Sequence, residues 1–369
     1  MADQIATKAI VLLTGVNSRE RYKAAVAVAG DLRFRGIIPI VALPKNSIYE
    51  RFFAERGYEV IPTPVFPESK GLLLKIAKAL KMGQSIQDFL KIFEIKSIKG
   101  VLSFGGNISL PALEAAARVP KKVKIFLVEQ NADIAKVHED FVSKAARVYL
   151  PFQEMEAKLN LTNSLVAGIP VEREVMRSEP MELTTTKKKL LVLGCRKDSK
   201  EFNDMVFYLL ENFSEIKRDF YIIQETGEKD LASISRYYEK QKIDASCEMF
   251  YDNRGPVLKA ADIVISRPNS DVIAEITALK KQAVYIPLPQ SKDYFQKLNG
   301  FLLAKSGAAF LIEDRTAGTP AKRYKKLVQI LSTYTRQQDV MKDKLAEMDF
   351  ENSSKRIAND MEFLLQGKC

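Results

Sequence analysis

Short continuous apolar runs recur along the chain, each closed by glycine, proline or a polar cluster. Ala9–Leu13, Ile38–Leu43, Gly100–Phe104, Ile125–Val128 and Arg147–Pro151 predict buried strands in the first part. Leu190–Leu193, Ile263–Ile265, Ala283–Leu288 and Ala308–Ile312 predict strands in the second. Between them lie segments of helical character: 22–35, much of 70–99, an amphipathic helix over Asp271–Leu279, a helix closed by Gly307, and the tail 341–365. Pro62, Pro64 and Pro67 mark a loop. Strand alternating with helix is the signature of parallel α/β sheets. At 369 residues the chain is too long for one ordinary core and predicts two such domains.

Ligands of parallel sheets sit at the carboxyl ends of strands, and polar residues collect there. Ser266–Asp271 offers hydroxyls, backbone N–H groups and a helix start, a set suited to phosphate. Glu275 falls one turn later, on the same helix face as Asp271. A carboxylate accepts two hydrogen bonds and so suits the vicinal hydroxyls of a ribose. Gln296 and Asn299, three apart, share a helix face. Together these fit a nucleotide sugar, although many α/β proteins carry polar strand ends. In the first half, the turn Gly105-Gly106-Asn107 feeds a helix at Pro111, either as an anion cradle or as a plain connection. Strand-end Glu129-Gln130-Asn131 supplies donors and acceptors, with Glu129 a candidate base. His138 is the single histidine; a lone histidine more often packs than catalyses.

Composition narrows the partners. The chain is 46% hydrophobic and 28% charged, with a net charge of +11, which points to an anionic partner. Nucleic acid is disfavoured, because the lysines are spread without interleaved aromatics. Cys195, Cys247 and Cys369 have no metal-ligand spacing and are too few for a disulfide framework, which fits a reducing cytoplasm. No apolar run is long enough to span a bilayer, so any membrane contact is peripheral. Within 70–99, Leu72, Leu80, Phe89 and Phe93 alternate with Lys70, Lys75, Lys81 and Lys91. Such a basic amphipathic helix suits an anionic membrane surface or simple packing on a sheet.

The wording of the stretch 261–314 adds a family. ADIVISRPNSDVIAE, then YIPLP, DYFQKLNG and SGAAFLIED, stand in the order of the donor-binding region of the MurG N-acetylglucosaminyltransferases, which the chain resembles. YIIQETGE at 221–228, VEQNA at 128–132 and VAGIP at 166–170 extend the resemblance over about 9–345. Departures fall mainly in the first half. The family's glycine-rich hexad lands on Val16–Arg21 with no glycine kept and Arg21 in place of its histidine. Val128 stands for a second histidine and Asn107 for a tyrosine. Near residue 194 only Gly194 of a glycine-rich turn survives, beside Arg196 and Lys197.

The resemblance implies two Rossmann-like domains facing a cleft, the GT-B architecture. Residues 1–167 are then the acceptor and membrane side, 168–345 the UDP-sugar domain, and 346–369 a helix returning to the first domain. It implies transfer of N-acetylglucosamine from UDP-N-acetylglucosamine to an undecaprenyl-linked lipid, with no metal or cofactor, at the cytoplasmic face of the inner membrane. Arg196, Tyr251, Ser266, Arg267, Glu275, Gln296 and Asn299 would bind the donor; Arg21, Gly105, Gly106, Asn107, Gln130 and Asn131 the acceptor; Glu129 and His138 would be catalytic. The eroded first glycine loop suits an alternative, a catalytically impaired scaffold or regulator of envelope synthesis.

Overall fold

A computed structural model of the chain describes residues 9–64, 72–194, 199–288, 293–313 and 320–366 and, within them, every side chain except those of 72–78 and 320–321. The chain forms two compact units, Met1–Glu172 with Asn352–Cys369, and Arg173–Glu351.

The first unit runs β1 (Ile10–Thr14), α1 (Arg19–Phe34), β2 (Ile38–Pro44), α2 (Glu50–Glu55), β3 (Glu59–Thr63), α3 (Leu72–Ile95), β4 (Ile98–Ser103), α4 (Leu110–Arg118), β5 (Lys124–Val128), β6 (Arg147–Leu150), α5 (Gln153–Leu159) and β7 (Ser164–Val166). Its strands pair in the order β3-β2-β1-β4-β5-β6-β7, all parallel. Strands covered on both faces read as unbroken apolar runs, and Val11, Leu12 and Leu13 are fully buried.

The second unit runs α6 (Arg173–Arg177), β8 (Lys188–Leu193), α7 (Ser199–Asn212), α8 (Ser214–Asp219), β9 (Phe220–Glu225), α9 (Leu231–Lys240), β10 (Ala245–Glu248), α10 (Gly255–Ala260), β11 (Ile263–Ser266), α11 (Ser270–Ala278), β12 (Gln282–Tyr285), α12 (Tyr294–Lys305), β13 (Phe310–Leu311), α13 (Pro320–Thr333) and α14 (Gln338–Met348). Its parallel sheet has the order β10-β9-β8-β11-β12-β13.

The last helix, α15 (Ser353–Leu365), belongs to the first unit. Ile357, Ala358 and Met361 complete the core there. Asp360 accepts two hydrogen bonds from Arg147, both at 3.0 Å, and one from Tyr149. Ser354 donates to buried Asp31, and Arg35 pairs with Glu362.

Several elements depart from the sequence reading. The Pro62 stretch is a strand, β3, at the sheet edge, where a missing N–H costs little. β7 adds a further strand beyond Arg147–Pro151. Helix α11 is not amphipathic, since every residue from Ser270 to Ala278 is buried. The first unit extends to Glu172 rather than 167 because Ala167, Ile169 and Val171 are buried and the Gly168 N–H bonds to the Leu150 carbonyl. It resumes at Asn352 rather than 346, since the ion pair of Lys280 with Glu351 keeps the end of that segment on the second unit.

Candidate functional site

In each unit, the strand that pairs with the unit's first strand on the side of the later strands ends in a polar loop: β11 beside β8, and β4 beside β1.

In the second unit β11 ends at Ser266 and α11 starts at Ser270. Both serines are 1% exposed, and neither hydroxyl has a hydrogen-bond partner among the described residues. Asn269 is the N-cap residue, yet its side chain makes no capping bond. Its amide oxygen accepts instead from Gln296 Nε2 at 2.8 Å. The start of α11 therefore offers the positive end of the helix dipole without a side-chain cap from Asn269, and two spare hydroxyls, an arrangement that can receive an anion.

Gln296 and Asn299 act on this loop from α12. The Gln296 side-chain oxygen accepts from the Leu288 N–H at 2.9 Å, and Asn299 donates to the Pro268 carbonyl at 3.2 Å. The two residues share a face, as their spacing implies, and these bonds are spent on bracing the loop. Arg267 also turns inward. It is 1% exposed, donating to the Ile286 carbonyl at 2.7 Å and to Glu201 at 2.5 Å, with its guanidinium 4.7 Å from the Phe202 ring centre. These contacts anchor the loop on the β12 end and on α7.

Glu275 is 2% exposed and meets Arg254, whose Nη1 lies 3.2 Å from Glu275 Oε2 and 3.0 Å from Asp271 Oδ2. Arg254 Nε lies 4.0 Å from Glu225 Oε1, which accepts the Tyr251 N–H at 3.0 Å. Burial opposes the Arg254 charge, but Glu275, Asp271 and Glu225 together raise its pKa above the ordinary value. The half-buried Tyr251 phenol is pushed up, first by burial and then by Glu248 and Glu225. Arg196, with Lys197, lies outside the described residues.

In the first unit the turn after β1 packs on the turn after β4. Gly15 is at φ +87°, and a side chain there would meet the Gly105 carbonyl at 2.1 Å. Glycine is therefore needed one position before the stretch where the family places its hexad. Arg21 Nη1 donates to Asn17 Oδ1 at 2.8 Å. It covers Gly106, where φ is +72° and an added Cβ would lie 2.7 Å from that nitrogen. Burial lowers the Arg21 pKa, against the opposing pull of Glu20 and Glu129. Thr14 and Gln130 are buried, with Thr14 Oγ1 and Gln130 Oε1 unpartnered among the described residues. Asn107 is exposed and Asn131 half-buried.

Behind this surface runs a buried chain of side chains. His138 is 0% exposed, with Nδ1 2.6 Å from Glu129 Oε1 and Nε2 2.7 Å from Ser103 Oγ. Ser103 Oγ accepts the Gly105 N–H at 3.2 Å, and Glu129 Oε2 accepts the Ala135 N–H at 3.0 Å. Both ring nitrogens of His138 and both oxygens of Glu129 are thereby engaged. These residues hold the Gly105 turn and the 129–138 segment. Sequence reasoning missed Ser103 and Arg254; the hints were a strand-end serine before Gly105-Gly106 and an arginine opposite two acids four residues apart. Among the described residues no cluster could hold a metal ion.

Comparison with known proteins agrees with this geometry. Residues 189–360 match the glycosyltransferase family 28 C-terminal domain. The fold is that of a MurG from Acinetobacter baumannii, with a TM-score of 0.73 at 16% identity over 96% of this chain and 99% of that one. A UDP-GlcNAc 2-epimerase from Neisseria meningitidis superposes with a TM-score of 0.65 at 12% identity, covering 97% of this chain and 100% of that one. Two parallel Rossmann-like sheets define the GT-B fold, and the second unit carries the match to the family 28 C-terminal domain.

Among curated relatives, a UDP-N-acetylglucosamine–N-acetylmuramyl-(pentapeptide) pyrophosphoryl-undecaprenol N-acetylglucosamine transferase of Geobacter metallireducens is 31% identical over 221 residues, 58% of this chain and 60% of the relative. One of the same name from Syntrophus aciditrophicus is 27% identical over 309 residues, 83% of this chain and 85% of the relative. The chain is similar to these MurG-named transferases, and residues 189–360 carry the family 28 C-terminal domain. The first match spans about 60% of the curated relative's length.

Proposed function

We propose that the protein transfers N-acetylglucosamine from UDP-N-acetylglucosamine to a lipid-linked acceptor, lipid I, in peptidoglycan synthesis. One observation carries the proposal: the start of α11, without a side-chain cap from Asn269 and with two spare buried hydroxyls, flanked one turn on by Glu275. The diphosphate would sit on the α11 amides and on Ser266 and Ser270, whose charge stabilisation assists departure of UDP. Glu275 would take the ribose hydroxyls and the backbone near Tyr251 the base. Gln296 and Asn299 serve by fixing Pro268 and Asn269.

The acceptor would meet Arg21, Gly105, Gly106, Asn107, Gln130 and Asn131. Arginine in the place of the loop histidine binds a phosphate through its fork and stays cationic, so Arg21 contributes charge and no base. Glu129 and His138 act on the acceptor turn from behind.

The protein would work peripherally on the cytoplasmic face of the membrane, against anionic lipid, with no part for nucleic acid. No helix among the described residues is long and apolar enough to cross a membrane. In α3, Phe89 and Phe93 are buried and Leu80 is 73% exposed. Exposed Leu80 with Lys81 and Lys91 would contribute to the contact, while Lys70 lies outside the described residues.

The test pairs calorimetric titration of UDP-N-acetylglucosamine and UDP with a transfer assay on lipid I, using wild type and Glu275→Ala. Binding and transfer by wild type, with affinity reduced roughly tenfold or more in Glu275→Ala, is the expected result. Binding without transfer supports the second reading, a MurG-like scaffold or regulator, which the lost glycine hexad and the engaged Glu129 and His138 favour. No binding by wild type removes the enzyme reading.

A further inference from the structure

We infer that Arg254 is a positioning residue of the nucleotide site, holding the α11 carboxylates in the orientation that a vicinal diol requires. The inference rests on the donor reading above. Asp271 and Glu275 stand four apart on one helix face and are 7% and 2% exposed. Like charges at that spacing repel, and burying them without a partner is costly. Two ribose hydroxyls need an acceptor whose oxygens are held in place.

One guanidinium resolves this. Arg254, 6% exposed, touches Asp271 and Glu275 through the same Nη1. Its Nε, with no hydrogen-bond partner of its own, faces Glu225 at 4.0 Å. Glu225 in turn holds the Tyr251 N–H. A single cation therefore ties the ribose-side carboxylates to the 250–254 loop, and nothing in Arg254 itself need touch the nucleotide.

The test compares UDP with 2′-deoxy-UDP by calorimetry on wild type, Arg254→Gln and Arg254→Lys, with thermal unfolding to verify that each variant folds. A positioning role predicts that wild type prefers UDP roughly tenfold, the size of one hydrogen bond to a charged group. Arg254→Gln brings the ratio to about one, and Arg254→Lys, which keeps the charge, restores part of it. A residue that merely stabilised the fold would lower both affinities together and leave the ratio intact. A wild-type ratio in Arg254→Gln overturns the inference. Equal binding of both nucleotides by wild type also overturns it, while leaving the donor reading standing. Binding of neither nucleotide by wild type overturns both. If Arg254→Gln does not fold, Arg254→Gln with Asp271→Asn relieves the repulsion and carries the same comparison. A ratio near one is again expected, and a wild-type ratio there is fatal.

Discussion

The loops after β4 and after β11 occupy equivalent places in two similar sheets and are built by opposite means. The β4 loop is two glycines covered by Arg21 and pinned from behind by the Ser103–His138–Glu129 chain. The β11 loop has no glycine; amides from α12 brace it from the side, and Arg267 anchors it inward. In both, much of the polar chemistry that resembles a binding site is spent on holding backbone. Spare buried oxygens remain on Ser266 and Ser270 at the β11 loop, and on Thr14 and Gln130 at the ends of β1 and β5, the strands that flank β4.

The sharpest way to break the comparison is His138→Ala. It strips a buried partner from Glu129 and another from Ser103 and should cost about 3 kcal/mol. By calorimetry the first unit's unfolding would fall by roughly 6–12 °C, while UDP titration of the second unit stays unchanged. A shift below about 2 °C would mean that the chain does not hold the β4 loop.

Gln296→Ala should have a smaller effect. It removes the acceptor for the Leu288 N–H and the donor to Asn269, costing about 1–2 kcal/mol, and it should weaken UDP several-fold through the loop. Unchanged UDP affinity with lowered stability would separate bracing from binding.

The smallest effect is alkaline. Burial pushes the Tyr334 phenol in the second unit up to about 12, whereas an unfolded tyrosine titrates near 10. The raised value means that the folded state holds this proton more tightly. The associated stability is complete below about pH 10 and is lost as pH climbs to about 12. Tyr334→Phe should flatten this slope in the second unit's urea midpoint between pH 9 and 12. The first unit keeps its own slope through Tyr149, raised first by burial and then by Asp360.

The alternation of strands and helices was legible because buried parallel strands are unbroken apolar runs, as in Val11–Leu13 and Ile263–Ile265. Edge strands carry no such signal, so β3, with Pro62 inside it, reads as loop. The location of the second loop was equally legible in Ser266–Asp271, Glu275, Gln296 and Asn299. The direction of each side chain was not. Spacing puts Gln296 and Asn299 on one face but does not say that the face meets Pro268 and Asn269. The resemblance places Arg267 among the donor-binding residues but does not say that its side chain packs inward against Glu201 and Phe202. Helix α11 looks two-sided because its polar residues are regularly spaced, yet those polar residues are buried too. His138 gave no local sign of its partners, which come from the ends of two strands, β4 and β5.

That α15 completes the first unit's core sets an order in time. A chain made from its amino end exposes residues 1–172 first, but Ile357, Ala358 and Met361 emerge only after all of 173–351. The second unit is therefore complete while the first still waits with the α1 face that carries Asp31 uncovered. The half of the protein that is born first is the half that matures last.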